Sequence, residues 1–300
     1  MDAPVAALRA ALEAGEPAIL VTVAEARGST PREAGAAMLV TAARAVGTVG
    51  GGALEMEGIA EARRLLAAGE ASSRLDIPLG PAIGQCCGGR VVLDLAWVSP
   101  ALLAEIEAGD AAAKAAHPSV LVFGAGHTGQ ALARALAPLP LRILVIDPRA
   151  DRLADLPPDT ARRQAAIPEA EVAAAPAGSA FVVATHDHAL DFLVASAALA
   201  RPDAAYVGMI GSATKRESFR RYLASDGRAG EIDRLVLPIG GTAIRDKRPE
   251  VIAALVAAEL LVTFAYNLEE NRCTGFAPVQ SQCNKSNQHP RRTESHAATS

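Results

Sequence analysis

The chain has 300 residues, half of them apolar and 21% charged, with a net charge of −4. That balance describes a globular protein with room for about two domains. The acidic sign and the 3% aromatic content argue against a nucleic-acid partner, which calls for basic surface and stacking rings.

The residues after Met1 open an amphipathic helix through Val5, Leu8 and Leu12, not the cationic and apolar segments of a signal peptide. The longest apolar stretch, Val251 to Tyr266, is broken by Glu259 and is short for a membrane span. A cytoplasmic protein with no membrane partner is expected. Ala18 to Glu25 and Ala37 to Thr41 read as strands, joined through a turn, Arg27 to Arg32, that carries two cations. The triple glycine Gly50 to Gly52 then feeds a helix, Ala53 to Ala68. A glycine loop at a helix start is either an anion site or a tight turn with no ligand.

Gly84-Gln-Cys-Cys-Gly-Gly89 follows, and then a strand from Arg90 to Val98. Glycines on both sides leave the backbone and the two sulfurs open to a ligand, and thiolates suit soft metals and sulfur transfer. Gln85, Cys86 and Cys87 are therefore candidate cofactor contacts, and Cys86 and Cys87 candidate metal ligands. The competing reading is a pair of small buried hydrophobes. Adjacent cysteines bridge only with strain, and no C-x-x-C pattern occurs, so neither a disulfide framework nor a structural zinc site is expected.

Ser99 to Ser119 reads as a helix and linker between a first domain, residues 1–98, and a second, residues 119–268. The second opens on the most informative stretch of the chain. An apolar run, Val120 to Phe123, meets Gly124, Gly126 and Gly129 in G-x-G-x-x-G spacing, then an amphipathic helix, then a second apolar run ending at Asp147. In such a strand–helix–strand unit the glycines permit the turn, the approach of a ligand and close helix packing, the helix start attracts an anion, and the acid contacts a diol. Gly124, Gly126, His127, Gly129 and Asp147 are candidate binding residues. Further strands are expected at Ala180 to Thr185, Tyr206 to Ile210 and Leu235 to Ile239, separated by helices, with a closing helix from Pro249 to Asn267. The fold class is α/β, with a C-terminal Rossmann-like parallel sheet and a smaller N-terminal α/β domain.

Ligands of such sheets bind beyond the carboxyl ends of the strands. His186, His188, Gly211, Ser212 and Lys215 fall there. His186 and His188 suggest metal ligation or acid–base work; the favoured competing reading is a loop in which Asp187 or Thr185 caps the next helix. From Glu269 the apolar period is lost, and residues 269–300 read as a disordered tail.

Taken in order, several motifs resemble one family. E-A-R-G-S-T-P-R at Glu25 to Arg32, G-T-V-G-G-G-A-L-E at Gly47 to Glu55 and G-Q-C-C-G-G at Gly84 to Gly89 resemble the first domain of the xanthine dehydrogenase accessory proteins, the XdhC/CoxI family. F-G-A-G-H-T-G at Phe123 to Gly129, A-T-H-D-H-A-L-D at Ala184 to Asp191 and Y-V-G-M-I-G-S-A-T-K-R at Tyr206 to Arg216 resemble its Rossmann-like domain. The resemblance runs from about Val5 to Leu268. It implies a chaperone, not an enzyme. Such a protein binds the molybdenum cofactor (molybdopterin) as cargo, holds it while a cysteine desulfurase sulfurates it, and inserts it into the apo molybdenum subunit of xanthine dehydrogenase. A homodimer is compatible with the composition. The alternative is an NAD(P)-dependent oxidoreductase, for which Gly124, Gly126, Gly129 and Asp147 are suitable parts but no proton donor is evident.

Overall fold

The computed structural model describes residues 4–80, 88–242, 244 and 246–273, with side chains described as far as Ala265. Two compact units form, Met1–Val120 with Leu136–Leu144, and Leu121–Ala135 with Val145–Ser300.

The first unit is built on an antiparallel sheet. Its strands are β1 (Ala18–Arg27), β2 (Ala37–Thr41), β3 (Ala45–Gly47), β4 (Ser72–Pro78) and β5 (Arg90–Trp97), in the order β3-β2-β1-β5-β4. The ten-residue β1 lies at its centre, antiparallel to β2 and β5. Successive side chains point to opposite faces, and the apolar residues of β1 fill both. Ile19, Val21 and Val23 pack with Leu54, Ala62 and Leu65 of helix α2 (Gly52–Ala68). Ala18 and Leu20 pack with Leu8 and Ala11 of α1 (Val5–Glu13) and Ile106 of α3 (Pro100–Ala116). Ser99 caps α3, its Oγ accepting from the Leu102 N–H at 3.2 Å, with Pro100 in the first turn, a start that both residue types favour. The segment expected as a helix and linker is thus mostly a helix that joins the core of this unit.

A six-stranded sheet in the order β11-β10-β9-β6-β7-β8 lies in the second unit apart from the first residues of β6 and β7. Its strands are β6 (Ser119–Phe123), β7 (Arg142–Asp147), β8 (Ala161–Gln164), β9 (Ala180–Val183), β10 (Tyr206–Met209) and β11 (Leu235–Val236). β9, β10 and β11 run parallel. Numbered along the sheet from β6, this is the 3-2-1-4-5-6 order of a dinucleotide-type fold, with the order of strands reversing between β6 and β9. The helices are α4 (His127–Leu136), α5 (Ala150–Ala154), α6 (Pro168–Ala174), α7 (His188–Leu199), α8 (Ala213–Ser225) and α9 (Pro249–Cys273). β6, β9 and β10 are almost wholly buried, as covered parallel strands must be.

Two expectations are corrected here. α9 continues to Cys273, past Glu269, because lost apolar period does not end a helix and no glycine or proline intervenes before Gly275. β8, Ala-Arg-Arg-Gln, adds a strand where the apolar pattern predicts none; all four residues are exposed, which suits a charged sheet edge. Residues 274–300, with Cys283, lie outside the described residues.

Candidate functional site

At the carboxyl ends of the parallel strands, backbone bonds run in a row from one side of the sheet to the other. The Ala165 N–H donates to the Asp147 carbonyl, Gly124 to Ile146, Ala184 to Phe123, Ile210 to Val183 and Ile239 to Met209. This row forms the floor of a rim at the point where the strand order reverses.

The three glycines do different work. Gly124 has φ +109°, and a Cβ there would overlap the Ala184 carbonyl of the neighbouring strand end. A Cβ on Gly129 would overlap the Gly124 carbonyl, so its absence lets α4 sit against the end of β6. A Cβ on Gly126 would meet no atom within 4 Å, and this glycine borders a cavity of about 300 Å³. Gly124 thus serves the turn and Gly129 the packing, while Gly126 borders open space.

That cavity is lined by Gly126, His127, Thr128, Arg149, Arg152, Ala184, Thr185, His186 and Ile210. Of the residues singled out in the sequence, Gly126, His127 and His186 face it together. Asp147 lies behind it with 1% exposure. Its Oδ2 accepts from the Ala125 N–H at 2.8 Å and from Arg149 Nη2 at 2.8 Å; its Oδ1 accepts from Arg149 N and Nε, both at 2.9 Å. Burial pushes this carboxyl up, but the Arg149 side-chain hydrogen bonds and the Ala125 and Arg149 N–H groups outweigh it and hold the carboxyl below its ordinary range.

A second buried carboxylate braces the other side of the rim. Asp191 of α7 is fully buried, accepts from Thr185 N at 3.0 Å and Thr185 Oγ1 at 2.7 Å, and pairs with Lys215 of α8. Lys215 Nζ also donates to the Ile210 carbonyl at 3.0 Å. Lys215 therefore ties the ends of β9 and β10 together and does not line the cavity. Ser212 caps α8, accepting from the Lys215 N–H, and a Cβ on Gly211 would press on the Lys215 side chain. Asp187 caps α7, accepting from Ala189 N at 2.7 Å. The motifs in the sequence assign no role to Arg149 and Arg152. A signal is nonetheless present: an arginine close to the acid that ends the second strand is a known anion reader in this fold.

In the first unit three glycine-bearing motifs meet. A Cβ on Gly89 would overlap the Ser29 carbonyl, and the Arg27 carbonyl is 2.9 Å from the same position. On the other side of this loop, the Pro31 ring lies 2.5 Å from where a Gly50 Cβ would stand. The Arg27 to Arg32 turn is thus held between Gly89 and the triple-glycine loop. Beside it lies a cavity of about 350 Å³ lined by Glu25, Arg27, Arg74, Asp76, Arg90 and Val92. Arg27 pairs with Glu25 at 2.6 Å, and Arg90 with Asp76 at 2.6 Å. These exposed pairs contribute little stability but leave charge available at the surface. Gln85, Cys86 and Cys87 lie outside the described residues; Gly88 and Gly89 are their described neighbours in sequence. Among the described residues no group of three His, Cys, Asp or Glu side chains could hold a metal ion, and no helix is long and apolar enough to cross a membrane.

The fold defines a two-unit α/β protein with an antiparallel N-terminal sheet and a Rossmann-like parallel sheet. Residues 11–77 match the XdhC and CoxI family, and residues 120–260 match the XdhC Rossmann domain. The uncharacterized protein YqeB of Escherichia coli is 30% identical over 257 residues, covering 82% of this chain; the chain spans 43% of that relative's length. A solved structure described as a xanthine dehydrogenase from Bacillus halodurans superposes with a TM-score of 0.69 at 17% identity, over 87% of this chain and 96% of that one, a likeness of fold. The chain belongs to the XdhC/CoxI family.

Proposed function

We propose that this chain is a maturation chaperone that binds the molybdenum cofactor, holds it during sulfuration by a cysteine desulfurase, and passes it to the apo molybdenum subunit of xanthine dehydrogenase. The observation that supports the reading most directly is the meeting of the Arg27 to Arg32 turn with Gly89 and Gly50. Family-type motifs far apart in sequence share one edge of the first unit, and the Cys86-Cys87 pair is next in sequence to that edge. Backbone stripped of side chains, two cations and two soft thiols are complementary to an anionic dithiolate complex. In this reading Cys86 and Cys87 contact the metal or relay sulfide, and Gly126, His127 and His186 serve the rim of the second unit.

The test is cofactor retention. The full chain and its Cys86→Ala and Cys87→Ala variants are incubated with molybdenum cofactor and gel-filtered, and the pterin is assayed by fluorescence. Retention by the parent chain, cut several-fold in at least one folded variant, is expected. A parent chain that retains no cofactor ends the proposal. The alternative, an NAD(P)-dependent oxidoreductase, draws on the β6–α4–β7 unit and on Arg149 and Arg152 beyond Asp147.

A further inference from the structure

Three features of the rim belong together. Asp147 stands where an acid in this fold reads a ribose diol. A carboxylate offers about four acceptor positions, and here each oxygen already accepts two bonds, all from Ala125 and Arg149. It has 1% exposure and no capacity left for a hydroxyl. Meanwhile Arg149, which uses Nε and Nη2 in the clamp, lines the cavity. Arg152, in the short helix after β7, lines it too, and its acidic neighbour is the exposed Asp151 at 3.6 Å. His127 and His186 line it as well, and no carboxylate does so among the described residues. Finally, Gly126 keeps the start of α4 open, where unpaired N–H groups and the helix dipole favour an anion.

We propose that this rim is built for a phosphomonoester, held by Arg149, Arg152 and the first turn of α4, and that it does not read a ribose diol through Asp147. A phosphomonoester carries close to two negative charges at neutral pH and three strong acceptors, and the planar guanidinium fork matches that geometry better than any other side chain. A ligand that offers only diols and singly charged diesters, as NAD does, brings no dianion to Arg152 or to the Arg149 N–H groups outside the Asp147 clamp. Two sources supply the group: the terminal phosphate of the molybdenum cofactor, where this inference rests on the function proposed above, or the 2′-phosphate of an NADP-type nucleotide.

Two matched pairs of ligands decide between them. Binding to the full chain is measured by calorimetry for molybdopterin with and without phosphatase treatment, and for NADP⁺ and NAD⁺. In at least one pair the phosphorylated member should bind at least about tenfold tighter, the scale of one charge-assisted hydrogen-bond set. Arg152→Ala, at an exposed position where folding is readily checked by melting, should close most of that gap without weakening the other member. Discrimination in the molybdopterin pair assigns the site to the cofactor's phosphate. Discrimination in the nucleotide pair alone keeps the inference and removes this unit from the chaperone reading. Equal binding within both pairs overturns the inference, even if molybdopterin is retained and the chaperone reading stands. So does a gap that survives Arg152→Ala, or the failure of all four ligands to bind.

Discussion

The Arg149 guanidinium closes on both oxygens of Asp147, Nε at 2.9 Å from Oδ1 and Nη2 at 2.8 Å from Oδ2. The acid that ends the second strand is therefore a structural partner of the arginine beyond it. Asp147→Asn removes the charge and leaves the Arg149 fork half-matched. A loss of about 2–3 kcal/mol in urea unfolding is expected, below the figure for a fully buried pair because Arg149 can turn to water. The sign with pH is fixed. The folded carboxyl sits below its ordinary range, so its stabilisation is complete above the unfolded value of about 3.9 and fades as pH falls through the lower folded value. The gap between parent and variant should hold at neutral pH and shrink in acid. A gap that stays constant from neutral pH to about pH 3 would mean the pair is not ionised as drawn.

Asp191 and Lys215 are more deeply enclosed, with 1% and 9% side-chain exposure. Lys215→Met strands a buried carboxylate and should cost about 3–5 kcal/mol. Adding Asp191→Asn should recover part of that loss, since the uncompensated charge is then gone. Additive losses in the double-mutant cycle would show that the two residues act independently.

The glycines of the α4 turn should separate under substitution. Gly129→Ala meets the Gly124 backbone and should destabilise by about 3 kcal/mol or more. Gly126→Ala meets nothing within 4 Å and should melt close to the parent while weakening ligand binding at the rim. Two equally destabilised variants would contradict this division.

The same contrast holds in the first unit. Gly89→Ala drives a methyl into the Ser29 carbonyl, while Gly88→Ala finds open space. Proteolysis of the Arg27 to Arg32 turn should speed up in the first variant only, with cofactor retention falling in parallel. Unchanged digestion and retention in Gly89→Ala would detach this turn from the proposed function.

The sheet of the second unit is legible in the sequence because its central strands are continuous apolar runs closed by glycines or acids, and a run such as Ala180 to Val183 has few other ways to bury itself. β4, Ser-Ser-Arg-Leu-Asp-Ile-Pro, is harder to read. Its alternation leaves Arg74 and Asp76 on a charged face and only Ile77 buried, so it resembles a loop until β5 pairs with it. At the site, Gly124, Gly126 and Gly129 can be assigned from spacing alone, since each role follows from a missing side chain. Asp147 and Lys215 cannot. Both look like free charges in the sequence, and only the fold brings Arg149 to one and Asp191 to the other.

The two ion pairs flanking the rim, with the row of backbone bonds beneath it, need no guest to complete them. A cradle whose side chains are already held by one another loses little chain freedom on capture. Under the proposed function, bound and free chains should therefore have nearly the same backbone, so a receiving protein telling them apart would have to sense the bound molecule itself and not a change of shape.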